Sequence, residues 1–158
     1  MNFFYNHIKK LFYYLIIFYY NISYQSLLIT FMKLDHKHLL IRAEVSNCPG
    51  ENQLSQVLAW MKSLIKKIDM KLLHGPNVSY IDQPGNRGIT SVALIETSHI
   101  VLHIWDEPDP GIFQLDVYSC KSFDINIVVN HLKEQFQVQK IHYKFLDRNN
   151  DLKLIDGN

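Results

Sequence analysis

Between His38 and Leu146 six short runs of β-branched, aliphatic and aromatic residues alternate with two stretches of helical period, and that ratio limits the folds open to the chain. The β-like runs are His38–Val45, Lys71–Tyr80, Ile89–Ile95, Ile100–Trp105, Ile112–Tyr118 and Val138–Leu146. Leu54, Val57, Leu58, Met61, Leu64, Ile65 and Ile68 recur at spacings of three and four, which predicts an amphipathic helix of about 17 residues. Phe123–Phe136 reads as a second amphipathic helix. NCPGEN after the first run, the Asp82, Pro84, Gly85, Asn86, Gly88 cluster and DEPDPG supply turn chemistry, and the tail NNDLKLIDGN reads as frayed. The order β-α-β-β-β-β-α-β contains too few helices for a doubly wound sheet. It predicts an α+β fold: a two-layer sandwich whose mostly antiparallel sheet carries both helices on one face.

A chain of 158 residues, 47% of them hydrophobic, can bury one sizeable core, so a single domain is expected. The net charge is +1, and with Lys9 and Lys10 set aside the remainder sums to about −1. No basic patch or Lys/Arg stripe of the kind that neutralises a phosphate backbone is present, which argues against nucleic acid and for a small ligand. Cys48 and Cys120 are too few for a disulfide framework and lack CxxC spacing, so they read as free thiols in a reducing cytoplasm. His99, His103 and Cys120 lack a fourth partner at zinc-site spacing, so no metal is expected. No GxSxG elbow points to a serine hydrolase. Taken one at a time, Ser98 reads as a loop serine, His103 as a sheet histidine and Cys120 as a small buried group. His36 and His38 read as solvent-facing or structural, and Trp60 and Trp105 as core.

From Leu11 to Met32 no side chain is charged, long enough for a membrane span or signal sequence. Asn21, Ser23, Gln25 and Ser26 interrupt the run, a small-residue cleavage site is missing, and Met32 opens MKLDHKHLLIRAEV, the lead-in to a soluble domain. Residues 1–31 are therefore read as upstream sequence, with a membrane or signal-like segment as the alternative. The domain is then 32–158.

The stretch GITSVALIETSHIVLHIWDEPDPGIFQLDVYSC, Gly88 to Cys120, carries the chemistry. Its Gly88 and Thr90, then Ser98 and His99, then His103, Trp105 and Glu107, then Asp116, Val117, Tyr118 and Cys120 resemble the bacterial-type S-adenosylmethionine decarboxylase proenzymes, and His38, Leu39 and Leu40 match that family's opening strand. The resemblance runs from about Met32 to Leu146. It implies a self-processing enzyme in which the Ser98 hydroxyl attacks the carbonyl of Thr97 and turns the peptide bond into an ester. Elimination and hydrolysis then leave a β chain, 32–97, and an α chain, 98–158, whose first residue is a pyruvoyl group. No ordinary side chain is an electrophile, and decarboxylating an amino acid needs an electron sink, which the pyruvoyl ketone supplies through a Schiff base.

By the same resemblance His103 acts as a general base in processing, Cys120 returns a proton to the substrate carbon, and Thr90 orients the cleavage site. The family has Glu directly before the serine. Here that residue is Thr97, whose β-branch crowds the carbonyl, with Glu96 one position earlier. Tyr80 is the candidate for stacking on adenine and attracting a sulfonium. The implied substrate is S-adenosylmethionine, decarboxylated for spermidine synthesis, with ornithine or arginine as alternatives. An uncleaved regulatory homologue is the reading from another class. A homodimer is also implied. Ser98 and His103 lie five apart and on one regular strand would face opposite ways, which predicts a turn or bulge near Ser98.

Overall fold

The computed structural model describes residues 35–158. The reading of residues 1–31 as upstream or membrane-like sequence lies outside the described residues.

Alternating apolar and polar side chains give each run one buried and one open face, so the runs fold as strands. They are β1 (Lys37–Ser46), β2 (Leu72–Ile81), β3 (Gly88–Ile95), β4 (Ser98–Trp105), β5 (Gly111–Ser119), β6 (Gln137–Asp147) and β7 (Lys153–Gly157). Helix α1 (Leu54–Lys67) follows a 3₁₀ turn over Glu51–Gln53, and α2 (Ile125–Gln135) lies between β5 and β6. Among the described residues the strands form one seven-stranded sheet in the order β2-β3-β4-β5-β1-β6-β7, with every neighbouring pair antiparallel. The α+β sandwich expected from the element order is the observed architecture.

Both helices cover the same face. Val57, Trp60, Met61, Leu64 and Ile65 of α1 and Val128 and Leu132 of α2 share a core with Leu39, Ile41 and Ala43 of β1, Ile100, Leu102 and Ile104 of β4, and Phe113, Leu115 and Val117 of β5. The helices are joined where the Trp60 indole N–H donates to the His131 carbonyl at 3.2 Å and the two rings stack. Asp124 caps α2 by accepting the Asn126 N–H at 2.8 Å. The alternate residues, among them Leu40 and Arg42 on β1, Thr90 on β3, His99 and His103 on β4, and Asp116 and Tyr118 on β5, share the opposite, open face.

Two expectations need correction. The tail is paired rather than frayed: β7 lies along β6, and Asp147 organises the turn between them by accepting the Asn149 N–H and the Asn150 amide. Every residue of β7 is exposed, because a sheet edge holds a strand through its backbone and needs no apolar pattern. Trp105 is not a core residue; it sits on the open face, with its indole N–H donating to Asn86 Oδ1 at 3.1 Å. Among the described residues no helix is long and apolar enough to cross a membrane.

Candidate active site

Glu96 and Thr97 form a two-residue turn between β3 and β4, closed by the Ile95–Ser98 pair, so the Thr97–Ser98 bond sits where the hairpin re-enters the sheet. The turn expected near Ser98 is present. Two long-range contacts hold it: the Glu96 N–H donates to the Lys71 carbonyl at 2.9 Å, and the Cys120 N–H donates to the Thr97 carbonyl at 2.9 Å. The second contact aims a backbone dipole at the oxygen that would gain negative charge if a nucleophile attacked this peptide, the geometry of an oxyanion donor. Ser98 has φ of +151°, a conformation non-glycine residues rarely adopt. The Thr97 hydroxyl is engaged elsewhere, accepting from Ser119 Oγ at 3.0 Å and pointing at Met70 Sδ at 3.2 Å.

The register of β1, β4 and β5 gathers a polar cluster beside this turn. Tyr118 pairs with both His38 and His99. His38 Nε2 lies 2.8 Å from Asp116 Oδ1 and His99 Nε2 lies 3.5 Å from the same oxygen, while His99 Nδ1 is 3.3 Å from Ser98 Oγ. His36 Nδ1 meets the Tyr118 hydroxyl at 2.6 Å, and the Arg148 guanidinium stands 4.3 Å over the Tyr118 ring. Burial by itself would raise the Asp116 carboxyl; the His38 hydrogen bond and the charges of His38, His99 and Arg148 outweigh it and hold the group below its usual value. Asp116 and Tyr118 stand out in the sequence as parts of a motif. Their convergence with His36 and Arg148, far away in the chain, leaves no sequence signal.

Thr90 and His103 meet, with Thr90 Oγ1 3.0 Å from His103 Nδ1. Neither reaches Ser98 within the chain. The β4 register runs without interruption from Ser98 to Trp105 on both sides, so His103 lies five residues, about 17 Å, along the strand. His103 and Asp116 instead line one groove of about 490 Å³ on the open face, together with Leu40, Arg42, Val101 and Gln114. Tyr80 is at the other end of the sheet from Ser98, paired with Ile89, packed against the core and donating its hydroxyl to Asp106 at 2.9 Å. Cys48 is half-buried at that end, and burial, reinforced by the Asp106 charge, pushes its thiol up to about 12.

Residues 37–149 match the family model described as S-adenosylmethionine decarboxylase. The chain belongs to the S-adenosylmethionine decarboxylase family. Relatives include the S-adenosylmethionine decarboxylase proenzymes of Pyrococcus horikoshii and Pyrococcus abyssi, each 34% identical over 71 residues, or 44% of this chain and 50% of the relative. An arginine decarboxylase proenzyme of Hyperthermus butylicus is 30% identical over 97 residues, 53% of this chain and 64% of that relative. The chain thus spans about half the length of the Pyrococcus proenzymes it matches.

Proposed function

We propose that this chain is a proenzyme that cuts itself between Thr97 and Ser98 and then decarboxylates S-adenosylmethionine. The observation that carries the reading is the Cys120 N–H on the Thr97 carbonyl, next to a serine whose backbone is held at φ +151°. An amide attacked by a neighbouring hydroxyl needs a polarised carbonyl and a nucleophile kept out of an ordinary strand conformation, and both features occur at this bond. The residues fit a pyruvoyl group: conversion of Ser98 would leave it at the new amino terminus, beside the segment carrying Cys120. Once made, such a group supplies the electron sink that amino-acid side chains lack. Cys120, a half-buried free thiol, holds an exchangeable proton on that side of the site.

The chain works as a homodimer in this reading. His103 is about 17 Å from Ser98 along its own strand, so His103 with its partner Thr90 serves the Ser98 of a second copy. Arginine is the second substrate reading, favoured by the arginine decarboxylase relative. The chemistry of the sink does not choose between the two.

Denaturing mass spectrometry of purified protein tests the cleavage: fragments meeting at Thr97 and Ser98 are expected, and a single uncut chain sinks the enzyme. Release of labelled carbon dioxide from S-adenosylmethionine, arginine and ornithine in separate incubations assigns the substrate, and release from arginine alone overturns the first choice. Mixing H103A with S98A chains tests the dimer. Cleavage of the H103A chain restored by the other is expected; no restoration places His103 outside a shared site.

A further inference from the structure

Ser98 needs a base close to its hydroxyl, and within the chain His103 is too far along β4 to be that base. The side chain that touches Ser98 Oγ is His99, its Nδ1 3.3 Å away and its Nε2 3.5 Å from Asp116 Oδ1. Hydrogen positions follow from the acceptors. An ionised carboxylate only accepts, and against its burial the His38 hydrogen bond and the charges of His38 and Arg148 hold Asp116 below its usual value, so a neutral His99 ring is best placed with its hydrogen on the Nε2 that faces the carboxylate at 3.5 Å. In a neutral ring Nδ1 is then left with its lone pair toward Ser98. His38 binds the same Asp116 oxygen at 2.8 Å and holds the carboxylate in place, and the Tyr118 ring lies edge-on to His99 with centroids 5.6 Å apart. The order hydroxyl, imidazole, carboxylate is the arrangement that activates a serine.

We propose, on the reading that the chain cleaves at Ser98, that His99 is the base for the first step of self-processing and that Asp116 is its positioning residue. The Ser98 hydroxyl gives its proton to His99 Nδ1 as Oγ bonds to the Thr97 carbonyl carbon, whose oxygen is held by the Cys120 N–H. The carbon–nitrogen bond between Thr97 and Ser98 then breaks, and the proton passes from His99 to the departing amine. The product is an ester with a free amino group; nothing is oxidised or reduced and no water is consumed. Removing the Ser98 α-proton, so that the Cβ–Oγ bond breaks and the Thr97 carboxylate departs, is a separate step, and it is the one left to His103.

Hydroxylamine separates the two steps, because it cleaves esters under conditions that leave amides whole. The wild-type proenzyme, H99A, D116N, H103A and the H99A/D116N double variant are incubated, with and without hydroxylamine, and fragments are followed by mass spectrometry. H99A is expected to process about 100-fold or more slowly, to stay whole in hydroxylamine, and to be restored in part by added imidazole. H103A is expected to release the fragment ending at Thr97 when hydroxylamine is added. D116N is expected to slow processing in the wild-type background and add nothing in H99A, the signature of a residue acting through another.

Processing of H99A at the wild-type rate, hydroxylamine cleavage of uncut H99A, or a folded H99A that imidazole leaves inert would each overturn the assignment. If H99A does not fold, H99Q is read by the same three measures. A D116N defect that persists undiminished in H99A overturns the role given to Asp116. A wild-type chain that is never cut at Ser98 sinks the underlying reading instead, a result visible before any variant is compared.

Discussion

Thr90 and His103 stand directly opposite each other on β3 and β4, with the Thr90 hydroxyl oxygen 3.0 Å from His103 Nδ1. The contact ties the ring to β3 on the open face of the sheet.

Thr90→Val keeps the shape of the side chain and removes that hydrogen bond. A bond of this kind contributes about 1 kcal/mol, so the rate of the step assigned to His103 should fall roughly fivefold. Time courses of fragment release in T90V and wild type check this, and an unchanged rate would show that the hydroxyl does not orient the ring.

Gly88 has φ of +152°, and a Cβ placed there would strike the carbonyl of Ile104 on the neighbouring strand. Gly88→Ala combines backbone strain with a clash against main chain that cannot swing aside. A loss on the order of 2 to 4 kcal/mol is expected, read as a shift in the urea midpoint with little change in slope.

Asp116 also predicts an acid limb. Its carboxyl is held below the ordinary value of 3.8 in the fold, so its contribution is fully present above that pH and is lost as pH falls through the lower, folded value. The gap in melting temperature between wild type and D116N should therefore be constant near neutrality and close below about pH 4. A gap that does not narrow at all as the pH falls below 3.8 would contradict the His38–Asp116 account.

The two thiols should react unequally. With Cys48 pushed to about 12, its thiolate is roughly one part in ten thousand at pH 8, and the thiolate is the reactive form. Iodoacetamide followed by peptide mapping should find the label on Cys120 and leave Cys48 unmodified until the chain is denatured. Equal labelling in the native state would show that the Cys48 site opens.

Periodicity was enough for most elements, because their signals are local. The three-and-four spacing from Leu54 to Ile68 became α1, and strict alternation over Ile112–Tyr118 became the centre of β5. β7 escaped for the opposite reason: an exposed edge strand is held by main-chain pairing, which leaves no trace in side-chain type. Tyr80 could be named as an aromatic at a loop margin, yet its place at the far end of the sheet depends on the β2–β3 register, and that register shifts at two irregularities. The opposed facing of Ser98 and His103 follows from simple counting along β4, whereas the location of the turn before Ser98, and hence its failure to bring the two together, does not.

Residue order alone supplied the layers of the sandwich and the buried face of each strand, since each depends on neighbours within one element; Ser98 came from the family resemblance over Gly88–Cys120. The Cys120–Thr97 contact and the convergence of His38, His99 and Asp116 came from elsewhere. They arise where β1, β4 and β5 lie side by side, and antiparallel pairing shifted by a single residue would turn every one of those side chains to the other face. Register is set by the packing of the whole core against both helices, a property no local stretch of chain contains.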